Sequence, residues 1–129
     1  MFGEKAMFGQ TETSRDEKGR IFIPAYTNRE KGDELVLIYD EMLKVHEIYS
    51  EEALKERFNE IEKNILNAKN QKEVIFYKKM LYKLIKSILK KSTVDSQGRI
   101  SIGKIFEGEE RLLTTGAYNR LIIEPIKKK

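Results

Sequence analysis

Asp16-Glu17-Lys18-Gly19-Arg20-Ile21-Phe22-Ile23 recurs as Asp95-Ser96-Gln97-Gly98-Arg99-Ile100-Ser101-Ile102, 79 positions later. Both copies spell Asp-x-x-Gly-Arg-Ile-x-Ile, and a repeat of this kind fixes an architecture before any single element is assigned. Working outward, Lys31-Gly32-Asp33-Glu34 matches Glu107-Gly108-Glu109-Glu110 at an offset of 76, which also lays Lys44-Val45 over Arg120-Leu121. The second copy is therefore 3 residues shorter between its two blocks, where a loop absorbs the change. Unit one covers about 10–49, a helical insert about 50–86 and unit two about 88–126 of a single domain spanning 1–129.

Each unit carries strand signals. Ile21/Ile23 and Ile100/Ile102 put two β-branched residues on one face of an extended strand, with the residue between them on the other. Gly19 and Gly98 close the preceding turns, where positive φ is useful. Further strands are expected at Leu35–Tyr39 and Leu112–Thr115, turns at Asp40-Glu41 and Gly116-Ala117, and returns along Lys44–Tyr49 and Leu121–Glu124. Between the units, Ser50 reads as an N-cap with Glu51 and Glu52 in the first turn. Leu54, Phe58, Ile61 and Ile65 follow at spacings of 4, 3 and 4, the stripe of an amphipathic helix. Asn67–Asn70 forms the next turn, and a second helix runs from about Gln71 to Ile85 with Val74, Tyr77, Leu81 and Leu84 on its inner stripe.

Composition narrows the chemistry. The 129 residues include no Cys and one His, His46, which speaks against disulfides, thiol nucleophiles and a His-rich metal site. No cofactor is expected. The longest apolar run, Leu35-Val36-Leu37-Ile38, is too short to cross a bilayer, and the chain opens on no secretory leader, so a cytoplasmic protein is expected. Charge is segregated: residues 1–50 carry −3, 51–68 carry −2, 69–91 carry +7 and 92–129 carry +2. The Lys-rich second helix reads first as a solvated basic face, with a phosphate-contacting or subunit-contacting face as the alternative. The tail Lys127-Lys128-Lys129 reads first as a solubilising end, with non-specific phosphate attraction as the alternative.

The repeated motif has two readings. The Asp16 and Asp95 carboxylates can cap their turns and hold Arg20 and Arg99. The arginines also present a donor fork suited to phosphate or a guanine edge. A carboxylate dyad sharing one proton fits poorly, because each Asp is followed four positions on by an Arg that keeps it ionised. His46 reads as a packed or surface residue, and Ser14, Ser92 and Thr93 as strand-edge polar residues with no His partner nearby. No glycine-rich phosphate loop is present, so enzyme chemistry is not expected.

Asp16 to Pro24, Asp-x-Lys-Gly-Arg-Ile-x-Ile-Pro, resembles the strand of the SpoVT/AbrB-type swapped-hairpin DNA-binding domain. Lys31-Gly32-Asp33-Glu34-Leu35 is similar to its Pro-Gly-Asp-Glu-Leu element, and Leu121-Ile122-Ile123-Glu124-Pro125 to its closing strand. Two units, each with an Asp-x-x-x-Arg motif and separated by a helical insert, resemble the MraZ family in particular. Met7-Phe8-Gly9 is similar to that family's start, which makes residues 1–6 an extra leader in which Met1-Phe2-Gly3 duplicates the pattern.

The resemblance implies an α+β chain whose pseudo-symmetric β units form a swapped-hairpin, double-psi-type barrel. It implies a nucleoid-associated transcriptional regulator, a ring-shaped homo-oligomer on direct repeats of double-stranded DNA upstream of the division and cell-wall genes. No small-molecule substrate is expected. Arg15, Lys18, Arg20 and Arg29 of unit one, with Gln97 and Arg99 of unit two, are the implied DNA-contacting residues, and Asp16, Gly19, Asp95 and Gly98 the structural motif. Unit two departs from the family where Gly103 replaces the Pro that unit one keeps as Pro24, and Glu107-Gly108 lacks the basic residue that Arg29 supplies. A protein-binding ring without DNA readout, antitoxin-like or scaffolding, is the alternative.

Overall fold

The computed structural model describes residues 7–27 and 29–126. The leader 1–6 and the tail 127–129 of the sequence analysis lie outside the described residues. The chain is α+β and its strands pair antiparallel. Unit one holds β1 (Met7–Ser14), β2 (Arg20–Phe22), a short 3-10 turn (Ala25–Thr27), β3 (Glu34–Asp40) and β4 (Val45–Ser50). Helices α1 (Glu51–Leu66) and α2 (Gln71–Ser87) follow. Then come β5 (Ile88–Thr93), β6 (Arg99–Ser101), β7 (Arg111–Tyr118) and β8 (Arg120–Pro125).

Six strands form one sheet in the order β1-β7-β8-β4-β3-β5, and β2 pairs with β6 in a separate ribbon. Exchanging each strand for the one four places along (β1 for β5, β3 for β7, β4 for β8) reads the same order backwards. The first strand of each half therefore pairs with the hairpin of the other: β1 lies on β7 and β5 on β3.

The run Leu35-Val36-Leu37-Ile38 does not alternate with polar residues because β3 is covered on both faces. Leu35 and Leu37 enter a core with Ile21, Ile48, Ile100 and Leu121. Val36 and Ile38 enter a second core under the helices with Tyr49, Leu54, Ile61 and Leu84. The helices begin where their caps require. Ser50 Oγ accepts from the Ala53 N–H at 3.0 Å and Asn70 Oδ1 from the Glu73 N–H at 2.9 Å. Helix α2 runs two residues past the expected end and passes into β5 with no loop.

Two differences from the sequence reading have a common cause. The expected turn at Gly116-Ala117 lies inside β7, because β1 pairs along its whole length from Met7↔Tyr118 to Ser14↔Arg111 and extends that strand. The chain instead reverses at Tyr118, which takes φ 68°, and Asn119. Strands β1 and β5 themselves went unassigned, being edge strands without an alternating apolar face: β1 is polar from Gln10 onward, and β5 opens with Ile88 and Leu89, both exposed.

Gly19 and Gly98 have φ 75° and 77°, yet their surroundings differ. A Cβ on Gly19 would sit 2.2 Å from the Gly103 carbonyl oxygen, whereas a Cβ on Gly98 meets nothing within 4 Å. Gly98→Ala should therefore cost only the left-handed conformation, about 1–2 kcal/mol. Gly19→Ala must also displace backbone and should cost about 4 kcal/mol or more, in the range reserved for severe lesions. Equal midpoint shifts for the two in urea unfolding would refute this account. Gly103 itself takes φ 62°, closed to the proline that unit one has at the matching position.

On the helix side of the sheet lies a buried ion pair. Tyr49 pairs with Arg120 across β4/β8, so the two share a face with Glu47, two positions before Tyr49. The Glu47 side chain has 0% exposure, and its carboxylate meets the Arg120 guanidinium. Arg57 of α1 covers them, donating to the Tyr49 hydroxyl at 2.8 Å. Burial pushes the Glu47 carboxyl above the usual glutamate range, and Arg120 partly opposes it.

Candidate nucleic-acid interface

The two motif turns have the same internal geometry. Asp16 Oδ1 accepts from the backbone N–H of Lys18 at 3.0 Å and of Arg20 at 2.9 Å, and Oδ2 accepts from Arg20 Nε at 2.7 Å. Asp95 Oδ1 accepts from the N–H of Gln97 at 2.9 Å and of Arg99 at 2.8 Å, and Oδ2 from Arg99 Nε at 3.0 Å. Glycine N–H groups close both turns, Gly19 onto the Asp16 carbonyl and Gly98 onto that of Asp95. The turns are also tied crosswise, since Ile102 N–H donates to the Gly19 carbonyl and Ile23 N–H to that of Gly98. Hydrogen bonds from the Arg20 and Arg99 backbones, followed by those from their side chains and neighbours, hold Asp16 and Asp95 below the usual aspartate range. Both carboxylates stay ionised at neutral pH and fix one edge of each guanidinium.

The turns feed an antiparallel ribbon with Ile21 opposite Ile100, Arg20 opposite Ser101 and Phe22 opposite Arg99. Paired residues share a face, and faces alternate along each strand. Ile21 and Ile100 are 0% and 1% exposed and pin the ribbon to the core. The opposite face carries Arg20, Phe22, Arg99 and Ser101. Phe22 is 53% exposed, with the Arg99 guanidinium 6.0 Å from its ring centre. Among the described residues, the ion pairs occupy only the Nε edges of the two arginines, which leaves their terminal nitrogens to an outside acceptor. Asp16 and Asp95 precede opposite ends of this ribbon and each is bound in its own turn, so they are not placed to share a proton.

The other candidate residues separate into groups. Lys18 and Gln97 are exposed at the tips of the two turns, beside the ribbon. Arg15 is turned inward, its guanidinium donating to the carbonyls of Ile105, Gly103 and Asp16. It braces one half of the chain against the other instead of joining the ribbon face. Arg29 lies apart as well, half-buried in a groove at the start of α1 with Asp33, Glu34, Glu51, Glu52 and Lys55. Carboxylates there reduce its attraction for phosphate. His46 is packed between the rings of Tyr39 and Phe106 at 4.9 and 4.8 Å, and burial lowers its pKa. Ser92 Oγ accepts from the Ser101 N–H at 3.0 Å, a structural bond.

Phe22 and Ser101 were missed as surface candidates. Strand alternation in Arg20-Ile21-Phe22 was the available signal: once Ile21 points inward, both neighbours point out.

No protein-family model matches the chain. No curated protein matches its sequence.

Proposed function

We propose that the chain is a sequence-specific regulator of transcription of the MraZ type, which reads double-stranded DNA with the β2/β6 ribbon and acts as a ring-shaped homo-oligomer. The observation that carries this reading is the outer ribbon face, with Arg20 and Arg99 flanking exposed Phe22. A two-stranded ribbon fits the major groove, and arginine forks pair with the O6 and N7 atoms of guanine. Because Asp16 and Asp95 already orient the forks, less side-chain freedom is lost on binding. Lys18 and Gln97 at the ribbon's ends are placed for the backbone, which positions without specifying. Repeated copies in a ring would add these modest contacts through effective concentration on direct repeats.

The backward-reading strand order, with each first strand on the other half's hairpin, supports a swapped-hairpin barrel. Direct repeats upstream of the division and cell-wall genes, and a place on the nucleoid, follow from the resemblance. The rival reading, a ring whose partner is another protein, draws support from apolar side chains exposed on α2.

The test is binding to a duplex carrying the region upstream of the chain's own gene, against a shuffled duplex, across a salt series. Preference for the first that survives near-physiological salt is the expected result. Equal binding that falls steeply with salt would leave only polyanion attraction, and no binding would favour the protein partner.

A further inference from the structure

Helix α2 buries Leu84 and half-buries Val74, Tyr77 and Leu81, and its outer surface is unusual for a solvated face. Lys72, Lys78, Lys79, Lys83 and Lys86 are exposed there. Between and beside them stand Ile75, Phe76, Met80, Tyr82 and Ile85, all 40–61% exposed. Lysines alone would suit water or phosphate. Five large apolar side chains among them indicate a surface that is covered by protein, since nucleic-acid backbones offer little that buries aliphatic groups.

The charges say which protein. Among the described residues, none of these five ammonium groups lies in an ion pair. The outer face of α1 carries exposed Glu52, Glu56, Glu60 and Glu62, likewise outside every ion pair among the described residues, and ends in Leu66, 85% exposed. Exposed Lys55 and Lys63 lie on α1 as well, so one helix of the hairpin carries a strongly basic, apolar face and the other a mixed surface of net negative charge. A two-fold contact of α2 with α2 would set lysines against lysines. A head-to-tail contact sets them against glutamates, and repeating it builds a closed ring or an open filament.

We infer that the outer face of α2 docks on the outer face of α1 of a second copy of this chain. This rests on the self-assembly in the proposed function and on none of its DNA contacts, so the two fail separately.

The test is charge reversal on the full chain, read by sedimentation velocity at tens of micromolar, with circular dichroism reporting the fold. The wild type should assemble. Lys79→Glu with Lys83→Glu, and separately Glu56→Lys with Glu62→Lys, should each weaken assembly at least about tenfold. One chain carrying all four changes should assemble again, as should an equimolar mixture of the two double variants. A monomeric wild type, undiminished assembly of the α2 variant, or no recovery in the fourfold variant would overturn the inference. So would an α2 variant that assembles normally but loses duplex binding, since its lysines would then face phosphate. Should reversal unfold the chain, Phe76→Ser with Tyr82→Ser is the substitute, expected to weaken assembly while duplex preference of the dissociated chain persists; full assembly of that variant would equally refute the contact.

Discussion

Arg120→Ala is expected to lower the stability of the fold by about 3–5 kcal/mol, the usual cost of leaving one member of a buried ion pair alone. For a domain of this size that is a fall in Tm on the order of 10–20 °C. The Glu47 side chain is fully buried, and the neighbouring Arg57 is engaged with Tyr49. The pH dependence identifies the cause. The folded-state pKa of Glu47 already lies above its ordinary value, so its contribution is fully present below the unfolded pKa, about 4.3, and is lost as pH rises through the folded value. Removing Arg120 raises the folded pKa further. The variant's deficit should therefore be smallest near pH 4 and grow toward pH 7. A deficit that is flat across that window would mean lost packing of the arginine stem. Replacing both residues by leucine should recover most of the loss, because no charge is then left buried.

Arg20→Ala with Arg99→Ala should reduce preference for the specific duplex by on the order of 10²–10⁴-fold, each fork contributing roughly 1–3 kcal/mol. The two lie diagonally across one ribbon face, so their effects need not add. Binding to shuffled DNA should persist through lysines that the changes leave alone. Salt dependence separates two roles. Arginines on base edges leave the slope of log K against log salt nearly unchanged, whereas each lost phosphate contact lowers it by about 1. Arg20→Lys keeps the charge and loses the fork, so it should leave binding to shuffled DNA intact while preference for the specific duplex still falls. Undiminished preference in the double alanine variant would move DNA recognition away from the ribbon.

Local chemistry made the motif turns and helices legible. Asp16, Gly19 and Arg20 interact within four positions of one another, and Ser50 and Asn70 cap helices whose apolar stripes repeat along the chain. What the sequence concealed depends on distant partners. Gly116 and Ala117 look like a turn until β1, a hundred positions earlier, is laid beside them. Arg15 and Arg20 are both exposed-looking cations by composition. Only the approach of the Gly103 and Ile105 carbonyls turns one inward. Glu47 gave no sign of burial either, because its cover comes from α1 and its counterion from β8.

The crossed pairing of β1 also bears on the birth of the protein. Thr114 donates to the carbonyl of Thr11 across 103 positions, and every rung of the β1/β7 ladder spans a similar length of chain. On the ribosome the first strand emerges while its partner is still unsynthesised. At roughly 5–20 residues per second it waits several seconds or more for β7. Throughout that interval its backbone offers unpaired donors and acceptors to any other nascent chain. Its polar sequence, Gln10-Thr11-Glu12-Thr13-Ser14, suits a strand that must stay soluble while it waits. Exchange of β1 between neighbouring nascent chains is the misassembly this topology invites, and it would be most frequent where many ribosomes translate one message.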